Sequence, residues 1–141
     1  MEEQNSSIVS HVSIGVSDME RAVAFYDAVL SVLGCNKLRE FPGAVAYGKL
    51  FPEFWVQKPI DGQAATVGNG THFCFLAASK EAVHAFHEAA LTAGATDAGP
   101  PGPRPGYDER YYGAFALDPD GHKIEAVFWE DPKDPTEVGS E

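Results

Sequence analysis

Two stretches of the chain, "HVSIGVSDMERAVAFYDAVL" at residues 11–30 and "HFCFLAASKEAVHAFHEAAL" at residues 72–91, overlay without a gap. At this offset His11/His72, Ala24/Ala85, Phe25/Phe86, Ala28/Ala89 and Leu30/Leu91 are identical, and Asp27/Glu88 and Ile14/Phe75 are similar. Each copy also reads as the same local structure, which makes an internal repeat the deciding feature of the sequence.

In the first copy, alternation places Val12, Ile14 and Val16 on one face of a strand and His11, Ser13 and Gly15 on the other. A helix follows, with Ser17 and Glu20 in capping-box spacing, an apolar stripe through Met19, Ala22, Val23, Tyr26, Val29, Leu30 and Leu33, and Gly34 as its stop. In the second copy Phe73 and Phe75 oppose His72, Cys74 and Leu76; Ser79 opens the helix and Gly94 closes it.

Three short apolar runs follow each helix: "CNKLREF", "AVAYGKL" and "FPEFWVQ", then a stretch near Ala95, "YYGAFALD" and "KIEAVFW". The unit is strand, helix, three strands, used twice, which predicts an α+β fold of two modules over 8–57 and 71–129. Residues 58–70 and 95–110 read as connecting loops, the latter too rich in Pro and Gly for regular structure. "DPDG" at 118–121 reads as a tight turn with Gly121 at a positive φ.

At 141 residues the chain fits one domain, 8–129, between polar tails at 1–7 and 130–141 that read as frayed ends. Six of its eleven net negative charges fall in those tails. No basic stripe is left for a phosphate backbone, which argues against nucleic acid. No apolar run could span a bilayer and the first residues do not resemble a secretory signal, so the expected setting is cytoplasmic. Cys35 and Cys74, without CxxC spacing, read as reduced thiols.

Glu125 lies within the apolar run Ile124, Ala126, Val127, Phe128 and Trp129, where a carboxylate needs a partner. If the helices cover the Val12/Ile14 and Phe73/Phe75 faces, then His11, His72 and Glu125 all lie on uncovered faces. Two imidazoles and one carboxylate suit a divalent metal with open positions. A salt bridge from Glu125 to Lys123 or an Arg is the alternative. His84, His87 and His122 read as solvated, and Cys74 as a small packed thiol.

The two copies and "LDPDGHKIEAV" resemble the glyoxalase/bleomycin resistance/dioxygenase superfamily, the vicinal oxygen chelate (VOC) proteins, over about residues 8–129. The resemblance implies two βαβββ modules forming a curled mixed sheet around a cleft. It also implies a divalent metal ion (Zn, Ni, Co, Mn or Fe(II)) held by His11, His72 and Glu125. Many glyoxalase I-type members add a carboxylate from the fourth strand; here "PEFWVQ" offers Trp55, flanked by Glu53 and Gln57.

The expected function is a glyoxalase-like lyase or isomerase acting on a small oxygen-chelating substrate. The alternatives are an extradiol-type Fe(II) dioxygenase and a non-catalytic, drug-binding protein of the bleomycin-resistance kind. Glu125 and Tyr107 are the candidate catalytic residues. Trp55, Tyr107 and Arg104 are the candidate substrate contacts, and a homodimer is the expected assembly.

Overall fold

The computed structural model describes residues 7–130; most of each predicted tail lies outside them. The order is β1 (Val12–Gly15), α1 (Met19–Ser31), β2 (Asn36–Phe41), β3 (Ala44–Gly48), β4 (Phe54–Gln57), then β5 (His72–Leu76), α2 (Lys80–Thr92), β6 (Thr96–Pro103), β7 (Tyr111–Leu117) and β8 (Lys123–Trp129). The predicted βαβββ unit occurs twice. Each unit makes its own four-stranded mixed sheet, ordered β1-β4-β3-β2 and β5-β8-β7-β6, and neither closes into a barrel. Among the described residues no helix is long and apolar enough to cross a membrane.

The helices meet each other between the sheets. Ile14, Phe54 and Val56 of the first sheet, with Val16 just beyond β1, share one core with Ile124 and Ala126 of the second, with Phe25, Tyr26, Leu30, Val83 and Phe86 between them. Phe54 bridges the modules, its ring centroid 5.1 Å from Tyr26, 6.0 Å from Phe73 and 5.1 Å from Phe75. The helix-facing sides are thus spent on one another, and the faces bearing His11 and His72 point outward.

Four expectations are corrected. The N-cap of α1 is Asp18, whose carboxylate accepts from the Arg21 amide, in place of the Ser17 and Glu20 box. Ser17 instead donates its amide and hydroxyl to Asp120. The Pro-rich stretch taken as a loop contains β6, which is tolerable because β6 lies at the sheet edge and its pairing with β7 breaks at Gly99. His87 is buried and bonds Asp97 at 2.9 Å. His122 is buried too, its Nε2 donating to the Gly15 carbonyl at 2.7 Å.

That last contact belongs to a clasp. Gly121, at φ +101°, closes the predicted turn. Asp118 Oδ1 accepts from the Asp120 and His122 amides, and its Oδ2 accepts from the Tyr26 hydroxyl at 2.6 Å. The β7–β8 turn of one module is thereby fastened to β1 and α1 of the other. Burial, then the nearby Asp118 charge, raises the Tyr26 pKa well above that of an ordinary phenol, so the hydroxyl stays a donor. Tyr26→Phe is expected to lower stability by about 1–3 kcal/mol, because it strips a buried carboxylate of one donor. Urea unfolding reads this, and an unchanged midpoint would refute the clasp.

Candidate functional site

The outer face of the second sheet is built around Glu125. In β8 it stands beside Cys74 of β5 and Phe115 of β7, and it is only 1% exposed. Its charge is met on both oxygens: Oε1 lies 3.1 Å from His72 Nε2, and Oε2 accepts from the Tyr111 hydroxyl. The expected alternative partners, Lys123 and Arg, do not take this place. Gly113 makes the room, since a Cβ there would stand 3.1 Å from Oε2 and 3.2 Å from the Ala126 carbonyl.

These contacts set protonation states. Desolvation, reinforced by Glu125, raises the Tyr111 pKa far above neutrality, so its hydroxyl keeps its proton and donates it. Cys74 is exposed as a residue, yet desolvation and then the Glu125 charge push its thiol up to about 12. It stands there as a neutral thiol and not as a nucleophile.

The outer face of the first sheet holds a shallow groove of about 500 Å³ lined by His11, Ser13, Phe51, Trp55 and Gln57. His11 Nδ1 lies 3.0 Å from the Ser10 hydroxyl, and Trp55 stacks on Phe41 at 6.4 Å. The repeat equates Ser13 with Cys74. Ser13 pairs with Trp55, whereas Cys74 pairs with Glu125. Trp55 therefore occupies in module one the place that Glu125 occupies in module two, and an indole stands where a fourth-strand carboxylate would be.

Of the predicted ligands, His72 and Glu125 come together and His11 lies on the other sheet's outer face. Among the described residues of one chain, no group of three or more His, Cys, Asp or Glu side chains is placed to hold a metal ion. Two neighbouring ligands, each about 2.1 Å from one ion, stand roughly 3 Å apart, and His72 Nε2 and Glu125 Oε1 meet that spacing at 3.1 Å. The pair fits two positions of a metal site whose third donor must come from elsewhere.

The hydroxyl that reaches Glu125 is that of Tyr111; Tyr107, 64% exposed, packs edge-on against the Tyr111 ring. Arg104 is half-buried and donates to the Pro100 and Gly102 carbonyls. Sequence reading took Lys123 only as an alternative partner for Glu125 and did not assign the Tyr111 hydroxyl or the Phe115 ring to this face. Alternation could have found them, because β7 residues 111, 113 and 115 pair with β8 residues 129, 127 and 125.

Comparison with curated proteins gives no match. A glyoxalase/bleomycin resistance protein from Albidiferax ferrireducens T118 is 41% identical, with TM-score 0.82 over 86% of this chain and 99% of that one. A glyoxalase-related enzyme from Fulvimarina pelagi is 18% identical, with TM-score 0.67 over 88% of each chain. A glyoxalase I mutant from Zea mays is 23% identical, with TM-score 0.64 over 84% of this chain and 44% of that chain. The last two share the fold alone. The model of the Glyoxalase/Bleomycin resistance protein/Dioxygenase superfamily matches residues 8–126, and with that match over most of its length the chain belongs to this superfamily.

Proposed function

We propose that the protein is a metal-dependent lyase or isomerase acting on a small oxygen-bearing molecule, with each site shared between two chains of a homodimer. His72 and Glu125 of one chain and His11 of the other would hold a divalent ion. The observation that carries this reading is the buried Glu125 carboxylate beside the His72 imidazole, on a face its own chain leaves uncovered. The outward faces of one chain diverge, so His11 can join the pair only from a second copy. Exposed apolar residues support such an assembly. Leu76, 69% exposed, shares the sheet face of His72 and Cys74, and Phe51, 43% exposed, lines the His11 groove.

A bound divalent ion would supply a Lewis acid that polarises a substrate oxygen. The chain's own residues do the rest. Tyr111 holds a proton at its hydroxyl, beside Glu125 Oε2, within reach of a substrate oxygen in the same space. Tyr107 and Trp129, packed edge-on at 4.9 and 5.1 Å, fix the Tyr111 ring. Trp55 presents an apolar wall opposite, excluding water without adding charge.

Elemental analysis of protein purified without added metal tests this. Near-stoichiometric metal that His72→Ala reduces to trace is the expected result; equal trace metal in both proteins overturns the reading. The indole at the fourth-strand position favours a second reading, a three-ligand Fe(II) dioxygenase of catechol-like substrates. Iron together with oxygen uptake on catechol would select it over the lyase.

A further inference from the structure

We propose that the outer face of the second sheet carries a subsite for an oxyanion, the carboxylate or phosphate-like group of a small substrate, formed by Arg104 and Lys123 around the Phe115 ring. The proposal rests on the reading that this face receives the substrate, and it names that substrate's charge. Two cationic groups lie over one ring. The Lys123 ammonium is 4.9 Å from its centroid and the Arg104 guanidinium carbon 5.6 Å. Phe115 in turn pairs with Glu125, so the ring separates the cations from the proposed reacting groups by one side chain.

The charges are uncompensated. Lys37, Lys80, Arg21 and Arg110 each lie within 4.0 Å of an Asp or Glu carboxylate. Among the described residues Arg104 and Lys123, like Arg39, Lys49 and Lys58, have no such partner, although acids outnumber Lys and Arg 21 to 10; only Arg104 and Lys123 share a ring. Among the described strand residues on this face the only carboxylate, Glu125, is already engaged by His72 and Tyr111. The groove expected to lie opposite, around His11 and Trp55, contributes no acid.

Arg104 is also held in place before any ligand arrives. Its two terminal nitrogens donate to the carbonyls of Pro100, Gly102 and Pro103 at 2.7, 3.0 and 3.4 Å. These contacts are neutral, and they leave part of its five-donor fork for an oxyanion. Gly99 clears the space, since a Cβ there would meet the Phe115 ring at 3.0 Å and Arg104 Nη2 at 3.2 Å. A guanidinium braced by backbone carbonyls and an ammonium over the same ring set two fixed positive charges beside Phe115.

The test uses the full chain without metal and without turnover, so it stands or falls apart from the metal site. Phenylphosphonate and benzoate are titrated by calorimetry and by amide chemical shifts, beside the neutral dimethyl phenylphosphonate and benzamide. Saturable binding of an anion, with shifts at Phe115 and Lys123 and with the neutral counterpart at least about tenfold weaker, is expected. The tighter of the two anions identifies the group. Lys123→Met, a change at an exposed position, is expected to weaken binding about tenfold, and Lys123→Glu to abolish it. No saturable binding, equal binding of anion and neutral counterpart, or binding indifferent to both Lys123 variants overturns the proposal. Loss of metal in the His72→Ala protein bears on the catalytic reading alone.

Discussion

Chains carrying His11→Ala and chains carrying His72→Ala, each without metal as purified, recover metal when unfolded together and refolded as a mixture. If each site takes His11 from one chain and His72 with Glu125 from the other, a mixed dimer has one site with all three donors and one lacking both imidazoles. Random pairing makes half the dimers mixed, so roughly a quarter of all sites should fill relative to the unsubstituted protein. Elemental analysis of the refolded mixture, with each variant refolded alone as control, reads the outcome. A mixture as empty as its controls would show that the donors are not shared in this way. The expectation follows from packing: the helix-facing sides of both sheets are buried in one core, which turns the imidazole-bearing faces away from each other within a chain.

Phe54→Ala should be the most damaging single substitution in the core. Phe54 is 3% exposed and touches aromatic rings from α1 and from β5. Its loss removes apolar contact on both sides of the module boundary and leaves a cavity that neither sheet can easily close. The expected cost is about 3–5 kcal/mol, a large part of the roughly 5–15 kcal/mol that stabilises a typical domain. Thermal and urea unfolding should show a midpoint lowered by about 10 °C or more. A loss below about 1 kcal/mol would mean that the modules stand independently and that Phe54 does not join them.

The sequence disclosed the order of elements because its signals there are local. Strand alternation, helical stripes and the glycines at 34, 94 and 121 depend on neighbours in the chain, and the repeat supported each reading with a second copy. The overlay even held the correct cap: Asp18 aligns with Ser79, the residue that caps the second helix. A strand was expected near Ala95, but its length, Thr96–Pro103, was hidden because Pro and Gly argue against a strand in general, whereas only an interior strand needs every amide. His87 and His122 were misread because their partners, Asp97 and the Gly15 carbonyl, are set by tertiary packing. The pairing of His72 with Glu125 was legible from alternation and the repeat. That His11 lies apart was not, since a face can be read from sequence but not the face it will meet.

Among the described residues the clasp at Asp118–His122 has no counterpart in the first module. There the equivalent turn, between β3 and β4, leaves Leu50 91% exposed. The hairpin that carries Glu125 is therefore anchored to the other module of its own chain, while the hairpin that carries Trp55 has the exposed Leu50 at its tip. On the proposed function, the duplicated unit would divide its labour: one copy would supply a fixed chemical floor, the other an adaptable wall. Changes in which molecules are accepted could then accumulate around Trp55 and Leu50 without moving the carboxylate.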